Sequence, residues 1–90
     1  MSFKKNVTIY NVPISNVDVE IYKVEIMSNV QIVIDYLYKD STDGKQLGEI
    51  NRLVVPAYIE DVLNQDYYDF DNSIMKSEKL VKKLVFKDIV

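Results

Sequence analysis

The chain has no cysteine, no histidine and no tryptophan, and only two glycines and two prolines in 90 residues. Without cysteine no disulfide can staple the fold and no thiol can act as nucleophile or ligand, which fits an intracellular origin. Without histidine as well, the usual general base at neutral pH, the soft metal ligands and the Ser-His or Cys-His nucleophile systems are excluded. Two glycines cannot make a GxGxxG loop, and Gly44-Lys45 lacks the upstream glycine and the following Ser/Thr of a Walker loop. Long apolar runs are missing too. The N-terminal Met1-Ser-Phe-Lys-Lys leads into Asn6-Val-Thr-Ile-Tyr10 with no stretch of signal-peptide or membrane-span length. No export signal and no membrane association are expected.

What remains has the composition of an ordered globular domain: 48% hydrophobic residues, 28% charged, and a net charge of −3. Ninety residues are expected to form a single domain, residues 1–90, with one core. Fourteen of the 22 residues from Val17 to Tyr38 are apolar, and they alternate with polar residues in two runs, Val17 to Met27 and Val30 to Tyr38. Alternation sends successive side chains to opposite faces, and the β-branched and aromatic content suits a pleated surface, so these runs predict the centre of a sheet.

A first strand is expected over Val7 to Tyr10, closed by Val12-Pro13, with Ser15-Asn16 turning the chain. In the second strand Val17, Val19 and Ile21 share one face, whereas Tyr22, Val24 and Ile26 share the other, which calls for a bulge near Ile21-Tyr22. Ser28-Asn29 predicts a hairpin to an antiparallel third strand. There Val30, Ile32, Ile34, Tyr36 and Tyr38 form the core face, and Gln31, Val33, Asp35 and Leu37 the other. Lys39 to Lys45 is a polar loop with Asp43-Gly44 as its turn. A fourth strand from about Gly48 to Val55 follows. Pro56 stops it and opens a short helix presenting Tyr58, Ile59, Val62 and Leu63. Asn64 to Asn72 reads as a connector. Asn72 or Ser73 caps a last amphipathic helix from Ile74 to about Phe86, although Leu84 to Val90 suits a strand equally well. The fold class is α+β: a mainly antiparallel four-stranded sheet with one or two helices packed on one face and a C-terminal helix.

No spacing of carboxylates or lysines singles out a catalytic pair, so the chain is not expected to be an enzyme or to hold a cofactor or metal. The groups Asp40/Asp43 and Asp66/Asp69/Asp71 lack the glycine and the terminal glutamate of an EF-hand loop and read as solvated turns. Lys76, Lys79, Lys83 and Lys87 line one side of the last helix. With an isoelectric point near 4.8 the chain attracts nucleic acid weakly, and these lysines read as a solvated face at the negative end of the helix dipole. Two protein-interaction candidates remain. Tyr67, Tyr68 and Phe70, interleaved with acids, serve equally as a recognition surface or as a cap on the core. Val33 and Leu37, with Val19 and Ile21 as neighbours, form an exposed apolar patch if the helices cover the opposite face.

The opening Met1-Ser-Phe-Lys-Lys before Val-Thr-Ile, then Asn11-Val-Pro-Ile14 and Asn16, and a strand series ending in a helical tail, resembles small virion proteins of tailed phages of low-GC Gram-positive bacteria. The similarity covers residues 1–55 and lies in their order and opening. The Asp66 to Asn72 segment and the lysine-rich tail depart from that pattern. The resemblance implies a structural subunit of a tail, baseplate or neck, partnered by further copies of itself and by other virion proteins. Its expected location is the virion or the bacterial host cytoplasm. The alternative from the residues is a small acidic inhibitor or adaptor that binds a single host or immune protein.

Overall fold

The computed structural model describes residues 2–27, 31–56 and 69–87, with the backbone alone for Phe70. Four strands and a helix follow in chain order: β1 (Ser2–Ile9), β2 (Val12–Met27), β3 (Gln31–Lys39), β4 (Gln46–Pro56) and α1 (Phe70–Leu84). The strands form one antiparallel meander in the order β1-β2-β3-β4, so β1 and β4 are its edges. The α+β class expected from the alternating runs is thus what the chain adopts.

The first turn differs from the expectation. The chain reverses at Tyr10-Asn11, both with positive φ (50° and 65°), and Ile9 pairs with Val12. Two left-handed residues match the right-handed twist of a hairpin, and asparagine tolerates that region well. Pro13 therefore lies inside β2 rather than ending β1. It does so where β2 pairs with β1 but lies beyond its ladder with β3, which begins at Asp18. Ser15-Asn16 does not turn the chain; it is an irregularity in the β1–β2 ladder, where Lys5 pairs with Val17 but Val7 with Ile14. Asn16 there has φ 56°, and its backbone N–H donates to Asn6 Oδ1 at 3.0 Å.

The bulge expected near Ile21-Tyr22 is present, as a register shift between Ile21 and Lys23. It lets Val19 and Ile21 before it, and Val24 and Ile26 after it, face the same side. Across the ladder these oppose Tyr38, Tyr36, Ile34 and Ile32 in turn. That side is the core. Val19, Ile21, Ile32, Ile34, Tyr36 and Val55 pack with Leu80 and Val81 of α1. Each fully buried aliphatic side chain there contributes roughly 1.5–3 kcal/mol.

The helix begins earlier than expected. Asp69, not Asn72 or Ser73, is the N-cap, and its carboxylate accepts the Asn72 N–H at 3.0 Å. Asp71 in the first turn and Lys82 and Lys83 in the last complement the helix dipole. The buried positions Ser73, Ser77, Leu80 and Val81 keep helical spacing, and the two small serines let the backbone approach the sheet. The far end docks on β1: Phe3 and Phe86 meet edge to face at 6.0 Å, and Lys82 Nζ lies 4.8 Å from the Phe3 ring centre. Leu84 is the last helical residue, so no strand starts there, and Lys87 takes φ 59°. The Ser28-Asn29 turn, the short helix after Pro56 and residues 88–90 lie outside the described residues.

Candidate interaction surface

The sheet has a second face, opposite α1, built from the other parity of each strand. Along β3 it carries Gln31, Val33, Asp35 and Leu37. The ladder flanks Val33 with Glu25 and Val54, and Asp35 with Lys23 and Arg52. Arg52 donates from Nε to Asp35 Oδ1 at 2.9 Å and from a terminal nitrogen to Oδ2 at 3.4 Å. That bond holds the Arg52 guanidinium protonated above its ordinary range.

Val33 and Leu37 do lie on this face, but they are 5% and 7% exposed and so form no open patch. Val19 and Ile21 are corrected outright. They oppose Tyr38 and Tyr36 and belong to the core under α1, because the bulge restores the parity that the sequence pattern alone leaves split. Tyr67 and Tyr68 lie outside the described residues, as does the side chain of Phe70, whose backbone opens α1.

The exposed apolar side chains are elsewhere. Ile50 and Val54 on β4 are 49% and 47% exposed, on either side of Arg52. Among the described residues no strand pairs with the outer edge of β4. The parity of Ile50, Arg52 and Val54 is legible in the sequence once a strand is placed there; their position on an edge is not.

A second feature comes from a long-range contact. β1 and β4 are separated by two strands, yet Ile9 Cγ2 lies 3.1 Å from where a Cβ on Gly48 would sit. The hairpin arm beyond the Asn6/Asn16 irregularity curls over to meet the start of β4. On the β4 side the ladder slips: Asn51 faces Tyr36 and Leu47 faces Tyr38, so Gly48, Glu49 and Ile50 together oppose Leu37. Gly48 takes φ 76° to make this bulge. Between the arm and β4 lies an open cleft of about 250 Å³, lined by Tyr10, Tyr38, Glu49 and Ile50 among others.

Tyr38 of the cleft lining pairs with Tyr36 of the core, and both phenols are perturbed. Tyr36 and Tyr38 meet at 5.9 Å between ring centres. Burial, with the Tyr38 hydroxyl beside it, pushes the Tyr36 phenol up to about 12, and burial raises that of Tyr38 as well. The acids of the β3–β4 loop act locally: Asp40 Oδ1 accepts the Thr42 N–H at 2.7 Å, which lowers its pKa, and Asp43 Oδ1 accepts the Lys45 N–H at 2.9 Å.

The fold and its surface define an α+β meander with a C-terminal helix, an open edge and a small cleft. Among the described residues no helix is long and apolar enough to cross a membrane. Compared with family models, with curated proteins and with solved structures, the chain matches none.

Proposed function

We propose that this protein is a non-enzymatic structural subunit that assembles through protein–protein contacts, with the outer edge of β4 pairing with a strand of its partner. The observation that carries the reading is the contrast between the two sheet edges. An edge strand presents unpaired N–H and C=O groups, and proteins that stay apart blunt it with lysines and bulges. Both edges have an irregularity, at Asn6 on β1 and at Gly48–Ile50 on β4, but β1 also sets two lysines in succession, Lys4 and Lys5, whereas β4 pairs regularly from Asn51 to Pro56. On β4 the charge between Ile50 and Val54 is Arg52, drawn inward to Asp35, and both apolar neighbours are exposed. An extended partner strand would gain backbone bonds and two apolar contacts there. The place of such a subunit in a phage or phage-tail-like particle is what the resemblance of residues 1–55 implies.

Light scattering across a concentration series tests the reading. Both side chains are exposed, so Ile50→Lys with Val54→Lys should leave the circular dichroism spectrum and melting curve in place. The native chain should form a concentration-dependent oligomer, and the double variant a monomer. A native chain that stays monomeric throughout and captures one host protein at equal stoichiometry would overturn assembly and favour the inhibitor or adaptor alternative.

A further inference from the structure

We propose that the cleft between the Tyr10-Asn11 hairpin tip and β4 is a seat for the guanidinium of an arginine side chain presented by a partner protein. Charge is the first argument. The strands carry five carboxylates, at Asp18, Glu20, Glu25, Asp35 and Glu49. Four meet a cation: Asp18 with Lys4 at 2.8 Å, Glu20 with Lys39 at 2.6 Å, Glu25 with Lys23 at 3.6 Å, and Asp35 with Arg52 at 2.9 Å. The fifth, Glu49, has no ion-pair partner among the described residues, and it lines the cleft, where none of the described lining residues is a lysine or arginine. The described lining therefore carries one charge, and it is negative, which favours a cationic occupant over an anion such as phosphate.

The second argument is aromatic. Tyr10 and Tyr38 line the same cleft, and a cation over a tyrosine face is attracted by the ring quadrupole. A planar guanidinium can stack on one ring while its fork of donors reaches a carboxylate, which a lysine ammonium cannot do. Asn51 and Thr8 add polar groups at the margin.

The third is backbone strain. Tyr10 holds φ 50° at a turn position that favours glycine, asparagine or aspartate, and its side chain is 75% exposed. The hairpin twist accommodates a left-handed residue there, but a tyrosine fills that place less easily than asparagine or glycine, and its exposed ring gains no burial in return. An exposed aromatic kept in a disfavoured region beside a cleft is the pattern of a strained binding residue.

The test is an NMR titration of the native chain with N-acetyl-arginine amide, and with N-acetyl-citrulline amide as the neutral isostere. Saturable shifts confined to Tyr10, Tyr38, Glu49 and Ile50 are expected with arginine. Citrulline should bind about tenfold more weakly, and Glu49→Gln should weaken arginine binding by a similar factor while leaving the rest of the amide spectrum unchanged. Equal binding of citrulline, arginine binding untouched by Glu49→Gln, or no saturable shift at all would each overturn the proposal. Because oligomer mass is measured separately, this result stands apart from the β4-edge reading.

Discussion

Arg52 on β4 grips Asp35 on β3 as a two-point fork, 2.9 Å at one oxygen and 3.4 Å at the other, although the arginine side chain is 67% exposed and the aspartate only 10%. The asymmetry decides what the pair does. The aspartate has left water and depends on its partner, whereas the arginine could find water elsewhere. Lys23, directly across β2 from Asp35, is bound at 3.6 Å to Glu25.

Removing one partner should therefore cost more than removing both. Arg52→Ala leaves a buried carboxylate without the two hydrogen bonds that Arg52 donates, while Asp35→Val with Arg52→Val replaces the pair by apolar, strand-forming side chains. The urea midpoint should fall further for Arg52→Ala than for the double variant. The reverse order would mean that Lys23 swings over and takes the place of the arginine.

Gly48 is held by two constraints at once. Its φ of 76° is a region that L side chains rarely adopt, and an added Cβ would meet Ile9 Cγ2 at 3.1 Å. Gly48→Ala should destabilise the protein by about 1–2 kcal/mol from the backbone alone. Adding Ile9→Ala removes the Cγ2 methyl but none of the backbone cost, so Gly48→Ala should cost nearly as much in the Ile9→Ala background as in the native one, with little recovery in chemical denaturation. A full recovery would place the whole effect in the contact.

Ser77 is fully buried on α1 beneath the sheet, and its hydroxyl has no hydrogen-bond partner among the described residues. Ser77→Ala deletes the unsatisfied oxygen, keeps the small volume and improves helix propensity. A gain of about 1 kcal/mol is expected in thermal or urea unfolding. A loss instead would show that the oxygen is satisfied in solution by a water molecule.

The centre of the fold was legible because the Val17 to Tyr38 pattern is strict. Even its break at Ile21-Tyr22 pointed to the bulge that the β2–β3 ladder contains. The ends were harder. Pro13 read as a strand terminator, yet it lies where β2 has outrun its ladder with β3, a fact of sheet topology rather than of local sequence. Tyr10-Asn11 is not legible as a turn because a tyrosine at positive φ runs against propensity. Asp69 was hidden as a cap inside an acidic, aromatic run. The surface was legible least of all. Val33 and Leu37 were placed on the correct face, but burial of the central strand and exposure of Ile50 and Val54 depend on strand order. The cleft depends on a contact between Ile9 and Gly48, residues 39 positions apart (48 − 9).

Tyr36 should give the protein a specific weakness to alkali. Its phenol is raised from the ordinary 10.0 to about 12 because burial disfavours the phenolate, with the neighbouring Tyr38 adding to the shift. In the unfolded chain the group ionises near its ordinary value, so between pH 10 and about 12 the unfolded state binds fewer protons than the folded one. The stabilisation is complete below the lower value and is lost as pH rises through the upper one, on the order of 2 kcal/mol in all. Lysines also lose their charge in this range, so the measurement is a difference: urea unfolding of the native chain and of Tyr36→Phe from neutral pH to about pH 12. The variant gives up the hydroxyl contact with Tyr38 at neutral pH. Its stability should then fall less steeply with alkali than that of the native chain, and the two curves should converge. Parallel curves would mean that the Tyr36 hydroxyl reaches water in solution and that its burial in the structure overstates its isolation.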